Sequence, residues 1–153
     1  MDPTSLNDLI NEEEVIFIPN GMKVTVKSSW ILEDEDHLSY TTIIRLAECC
    51  REYHWNRDIL SISENKSIDS ITRSLSCDFL KPILVGSNIS ITYQVIKVQK
   101  KSYSLRFEVR EAVNQALYAT IDVISVFYDP VEHTSIVPPT SVIATLTQRL
   151  YGM

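Results

Sequence analysis

Four consecutive acids, Glu33, Asp34, Glu35 and Asp36, stand before His37 and a run, Ser39–Trp55, with the apolar spacing of a helix. Two roles fit acids in that place. The N-terminus of a helix carries partial positive charge, so a solvated acidic cluster stabilises a helix start. A carboxylate held at a helix mouth can also act as a nucleophile or take a proton from water. Spacing alone leaves both open.

Other reactive side chains are read as structural. Cys50 and His54 lie one helical turn apart and could touch. No further Cys/His cluster completes a zinc site, so Cys49 and Cys50 are assigned to the core and no metal is expected. Glu48 sits in the same helix and is read as a structural carboxylate. Asp122, in a central strand, could line a site or meet a partner subunit. Lys97–Lys101 is the one basic cluster and reads as an exposed strand end and turn.

Composition narrows the classes. A net charge of −6 opposes a phosphate-backbone binder, and no nucleic-acid partner is expected. Only 3 glycines are present, with no GxGxxG or GxxxxGK motif, so a nucleotide loop is not supported. No run approaches the ~18 apolar residues of a membrane span. The acidic start, MDPTSLNDLINEEEV, lacks the basic and apolar regions of a signal peptide. With 3 cysteines, an odd number in apolar surroundings, the chain reads as a reduced cytoplasmic protein.

The elements that would position the acids follow from periodicity. Residues 1–20 read as an appendage, with SLNDLI as one or two helical turns and VIFIP as a short strand or packing arm. Residues 21–153 read as one domain, since 153 residues leave little room for two. From Met22, MKVTVKSSWIL alternates as a strand. The helix Ser39–Trp55 would be about 25 Å long, with Ser39 as N-cap. Asn56–Lys66 is polar and reads as a loop. Four strands follow. The first has Ile71, Leu75, Cys77 and Phe79 on one parity. The second has Ile89, Ile91, Tyr93 and Val95, and the third Tyr103, Leu105, Phe107 and Val109. The fourth, ALYATIDVISVFYD, is apolar on both parities and should lie inside the sheet. TSVIATLTQRL, after Pro138-Pro139, reads as a short C-terminal helix.

The order and motifs resemble the hotdog fold, and within it the 4-hydroxybenzoyl-CoA thioesterase-like family. That family has a first strand, an acid-containing loop of the type Asp-x-x-Gly-His/Ile-Val-x-Tyr, and a helix ending in Arg-Glu-Tyr/Phe. Here these read EDEDHLSY and CREY. Its next landmark, aromatic-x-Arg/Lys-Pro followed by a glycine turn, reads DFLKPILVGS here. The resemblance covers about Met22 to Pro130. It implies an α+β hotdog fold, an antiparallel sheet of about five strands wrapped around one long central helix.

The resemblance also implies a site. Glu33 falls at the family's catalytic aspartate, with one more methylene. Asp36 falls at its usual glycine, so the turn can differ, and a register shift would make Asp34 or Asp36 the reactive acid. Tyr40 falls where a backbone N–H at the helix start holds the thioester oxygen. His37, Ser39 and Thr41 are expected to contact substrate. The implied activity is that of an acyl thioesterase acting on an acyl-CoA or an acyl-carrier-protein thioester, without a cofactor, as a homodimer or tetramer. Two rivals remain: a hotdog protein that binds acyl thioesters without cleaving them, and a dehydratase, for which His37 is the one histidine near the loop.

Overall fold

A computed structural model of the chain describes residues 15–63 and 68–149. The expected turns in SLNDLI lie outside these residues, as does part of the expected 56–66 loop. Seven strands form one sheet: β1 (Val15–Ile18), β2 (Gly21–Thr25), β3 (Asp69–Phe79), β4 (Asn88–Val98), β5 (Ser102–Glu111), β6 (Leu117–Asp129) and β7 (Thr134–Ser135). Their order is β1-β2-β4-β5-β6-β3, with β7 paired to β6. Helix α1 (Tyr40–Trp55) comes between β2 and β3, and α2 (Thr140–Gln148) closes the order.

The strand count exceeds the expected five or so, because VIFIP forms β1 and the short β7 pairs with β6. β1 and β2 form an antiparallel hairpin around Pro19-Asn20, with Val15 opposite Val24 and Ile18 opposite Gly21. Asn20 takes a positive φ of 55° in that turn, a conformation Asn adopts more readily than most residues. Gly21 is required for a different reason. A Cβ there would lie 2.5 Å from the Ile91 carbonyl oxygen of β4.

The first strand is shorter than its alternation predicts. β2 ends at Thr25, and Ser28–Trp30 forms a 3₁₀ turn instead. Trp30 N–H donates to Lys27 O at 3.1 Å and Ile31 N–H to Ser28 O at 3.1 Å. Local turn bonds replace the ladder, and Trp30 still buries its ring.

The described residues group into two compact units. The first comprises, of the described residues, 15–51, 78–92 and 108–120. Its buried side chains include Met22, Val24 and Val26 around β2, Ile89 and Ile91 of β4, and Ile43, Leu46 and Cys50 of α1. They follow strand alternation on one side and i, i+3, i+7 spacing on the other. The Cys50 thiol points at the Ile91 carbonyl at 3.9 Å. Burial, and secondarily Cys49, pushes its pKa well up. A thiol in this state is a core residue and not a nucleophile. Glu48 is held by Arg51, whose Nε donates to Glu48 Oε1 at 3.0 Å.

The second unit comprises, of the described residues, 52–63, 68–77, 93–107 and 121–149. Its centre is aromatic. Trp55 stacks on Tyr103 with centroids 6.0 Å apart, and Phe127 lies 5.1 Å from Tyr103. Such pairs contribute about 0.5–1.5 kcal/mol each beyond the area they bury. Ser70 and Tyr103 share a hydroxyl hydrogen bond of 2.8 Å. α2 buries Val142 and Leu146, one turn apart. After it, Arg149 donates to the Tyr93 hydroxyl at 2.9 Å and pairs with Asp58 at 2.8 Å. Asn56–Asp58 are thus no simple loop: Asn56–Leu60 continues α1 as a π-helical turn. Asp122 forms a two-point pair with Arg106, at 2.8 and 3.2 Å.

β3 departs from its predicted burial. Ile71, Leu75 and Phe79 are 45, 44 and 45 % exposed, and Cys77 is half-buried. The apolar parity is real, but β3 ends the strand order, and much of that surface is left uncovered by the described residues.

Candidate functional site

The loop between Trp30 and α1 is shaped by three contacts. Glu35 N–H donates to Leu32 O at 3.0 Å, closing a turn in which Asp34 has a positive φ of 70°. Leu38 N–H donates to Ile83 O at 2.9 Å, and His37 bridges antiparallel to Leu84. The loop is therefore tied to the segment after β3.

That segment is fixed in turn. Leu80 and Lys81 N–H both donate to Tyr118 O, at 2.8 and 3.2 Å. Ser87 N–H then donates to Leu84 O at 3.1 Å across a turn with Gly86 at φ 84°, a position where glycine carries no steric cost. Proline at position 82 has no N–H to satisfy.

Helix α1 begins between these strips of chain. Ser39 caps it: its hydroxyl accepts from Thr42 N–H at 3.3 Å, and its carbonyl accepts from Ile43 N–H at 3.2 Å. The N–H groups of Tyr40 and Thr41 precede the first intrahelical donor, that of Ile43, so the helix itself cannot satisfy them.

A cavity of about 420 Å³ opens at this helix start. Its walls are Leu32, Leu38, Ile43 and Phe79 to Ile83, with Glu35, His37, Ser39 and Tyr40. The Tyr40 and Phe79 rings have centroids 6.1 Å apart. The size is within the usual range of small-molecule sites, and an apolar lining with a few convergent polar groups is their usual character.

Of the residues expected at the site, His37, Ser39 and Tyr40 line this cavity. Glu33, Asp36 and Thr41 are exposed and are not among its lining residues. Sequence reasoning passed over Glu35, which lines it, and used Phe79, Lys81 and Pro82 as landmarks without assigning them to the site. The signal for the latter was the Phe-Leu-Lys-Pro string itself, which begins at the last residue of β3 and continues along the cavity wall.

His37 and Asp36 pair within the loop. The His37 Nδ1 donates to Asp36 Oδ1 at 3.0 Å and lies 3.7 Å from Glu35 Oε2. The hydrogen bond to Asp36, aided by the charges of Glu35 and Asp36, raises the His37 pKa above the ordinary histidine value. The same hydrogen bond lowers the Asp36 pKa. No cluster of three metal-ligating side chains occurs among the described residues.

Comparison with known proteins is consistent with this geometry. The model of the thioesterase-like superfamily matches residues 32–146. The chain belongs to that superfamily, and its antiparallel sheet with one long helix is the hotdog fold. Similar solved structures include a 1,4-dihydroxy-2-naphthoyl-CoA thioesterase from Synechocystis, at 12 % identity and TM-score 0.68, covering 83 % of this chain and 94 % of that one. A Staphylococcus aureus protein in complex with CoA is similar at 16 % identity and TM-score 0.74, over 88 and 87 % of the two chains. A Pseudomonas aeruginosa protein aligns at 12 % identity and TM-score 0.75, over 90 and 94 %. No curated protein matches the chain. No helix among the described residues is long and apolar enough to cross a membrane.

The His37 shift gives a test with a defined sign. A raised folded pKa means that the pair's contribution to stability is fully present below the unfolded histidine pKa and is lost as pH rises through the folded value. For Asp36 the contribution is present above its unfolded pKa and is lost as pH falls through the lowered one. In an NMR titration, His37 should show a midpoint above the ordinary value, and Asp36→Asn should bring it down. An unchanged midpoint in Asp36→Asn contradicts the pairing.

Proposed function

We propose that the chain hydrolyses acyl thioesters at the mouth of α1. The observation that carries this reading is a single cavity where the first turn of a capped helix meets a carboxylate, an imidazole and apolar walls. Membership of the thioesterase-like superfamily supports it.

The steps follow from the chemistry of those groups. The apolar walls hold the acyl group, and the thioester oxygen accepts from the Tyr40 N–H. A carboxylate of the Glu33–Asp36 loop takes a proton from water, and the hydroxide adds to the carbonyl carbon. The oxyanion stays on the helix-mouth donor, favoured by the helix dipole. The C–S bond then breaks, and the thiolate leaves with the proton returned by the carboxyl group. The acyl carrier is read as coenzyme A. A structural neighbour solved in complex with CoA and another that is a CoA thioesterase support that choice over a carrier protein.

Tyr40 provides the test, because the proposed contact is backbone and not side chain. Tyr40→Phe keeps the N–H and should keep most thiol release from acyl-CoA. Tyr40→Pro removes the donor at a first-turn position that proline tolerates. It should fold by circular dichroism yet lose about 10²–10³-fold in turnover, the usual cost of one oxyanion donor. A folded, fully active Tyr40→Pro variant sinks the helix-mouth mechanism. Thioester binding without thiol release by the unmodified chain would favour a binding protein.

The proposed assembly is a homodimer or a tetramer formed as a dimer of dimers. The exposed Ile71, Leu75 and Phe79 on β3 support it, since β3 ends the strand order and a long apolar edge invites pairing. Light scattering at micromolar concentration should give at least twice the 17.5 kDa chain mass. A monomer would contradict the assembly.

A further inference from the structure

Resting on the thioesterase reading, we propose that the reacting carboxylate is Glu35, two residues beyond the position the family resemblance assigns, and that Asp34 is the positioning residue that aims it.

The argument is the geometry of one turn. Leu32 and Glu35 are its first and last residues, joined by the Glu35 N–H to Leu32 O bond of 3.0 Å. The end residues of such a turn lie close together at its base, while the two central residues form the tip. Leu32 and Glu35 both line the cavity. Glu33 and Asp34, at the tip, do not line it, whereas Glu35, though its side chain is 49 % exposed, does. A carboxylate at position 33 is therefore on the solvent side of the turn.

The displacement has a visible backbone cause. The resemblance places a glycine at position 36, where this chain has Asp36. Asp36 is not among the residues with positive φ; Asp34 is, at 70°. The left-handed residue of the loop thus sits at position 34. Aspartate is one of the few residues other than glycine that enters this region readily. Asp36 is engaged instead with His37, at 3.0 Å. Beyond it, Leu38 is tied to Ile83 and His37 bridges to Leu84, so the chain between the turn and the helix has little slack. Glu35 is caught between two fixed points. Its Oε2 lies 3.7 Å from His37 Nδ1, on the second polar group of the cavity wall.

The step assigned to Glu35 is the proton transfer given above. Its carboxylate removes a proton from the attacking water as the C–O bond forms, and returns it to the sulfur as the C–S bond breaks. No other reactant is needed.

The experiment measures kcat and KM for thiol release from butyryl-, octanoyl- and benzoyl-CoA, with circular dichroism as the folding control. Glu35→Gln should lower kcat by roughly 10²-fold or more with KM changed by less than about 3-fold, as for loss of a general base. Glu33→Gln should stay within about 3-fold of the unmodified enzyme. Asp34→Gly and Asp34→Asn both accept positive φ and should keep kcat. Asp34→Val, or Asp34→Ala if the valine variant does not fold, should lower kcat about 10-fold with KM nearly unchanged. A merely structural role would not produce that split or the recovery by asparagine. An inactive Glu33→Gln beside an active Glu35→Gln overturns the proposal in favour of the family register. An active enzyme in which Glu35→Gln is also active overturns it alone. An unmodified chain that releases no thiol from any of the three substrates removes the thioesterase reading and this inference together.

Discussion

A helix that starts at Tyr40 must leave its first N–H groups without intrahelical acceptors, and the rest of the site is arranged around that fact. Ser39 satisfies one donor, that of Thr42. The donor of Tyr40, a residue that lines an apolar cavity, is left for a carbonyl oxygen, which would be held there more strongly than in water. Fixed donors with the helix dipole behind them are suited to charge that develops during a reaction, since they need not reorganise when it appears.

That helix start has to be held in place against the acid loop, and backbone bonds do it. The Leu38–Ile83 bond and the His37–Leu84 bridge tie the loop to the segment after β3, and Tyr118 O anchors that segment from β6. The lining side chains come from two strips of chain about forty residues apart in sequence, joined mainly through peptide groups.

Most of the frame was legible because it rests on periodicity. The α1 span, the Ser39 cap, the inside position of β6 and the C-terminal helix all follow from apolar spacing and capping chemistry. Where reading failed, a local interaction overrode the pattern. The strand from Met22 stopped early because serine-rich chain took a 3₁₀ turn at Ser28–Trp30. The alternation in β3 correctly marked an apolar parity, but alternation cannot tell burial within a chain from a surface awaiting a partner. In the site, the acidic loop and helix mouth were legible together. Which acid lines the cavity was not, because four neighbouring acids carry no periodic signal to mark one of them.

The most direct test of the central claim, that the Tyr40 N–H at the start of α1 receives the thioester oxygen, is amide NMR of the ¹⁵N-labelled protein titrated with an acyl-CoA ketone in which a methylene replaces the thioester sulfur. The account predicts that the Tyr40 amide resonance moves most, downfield as a hydrogen bond forms, while that of Thr42, already donated to Ser39, moves little. Saturable binding that leaves the Tyr40 amide unmoved would contradict it.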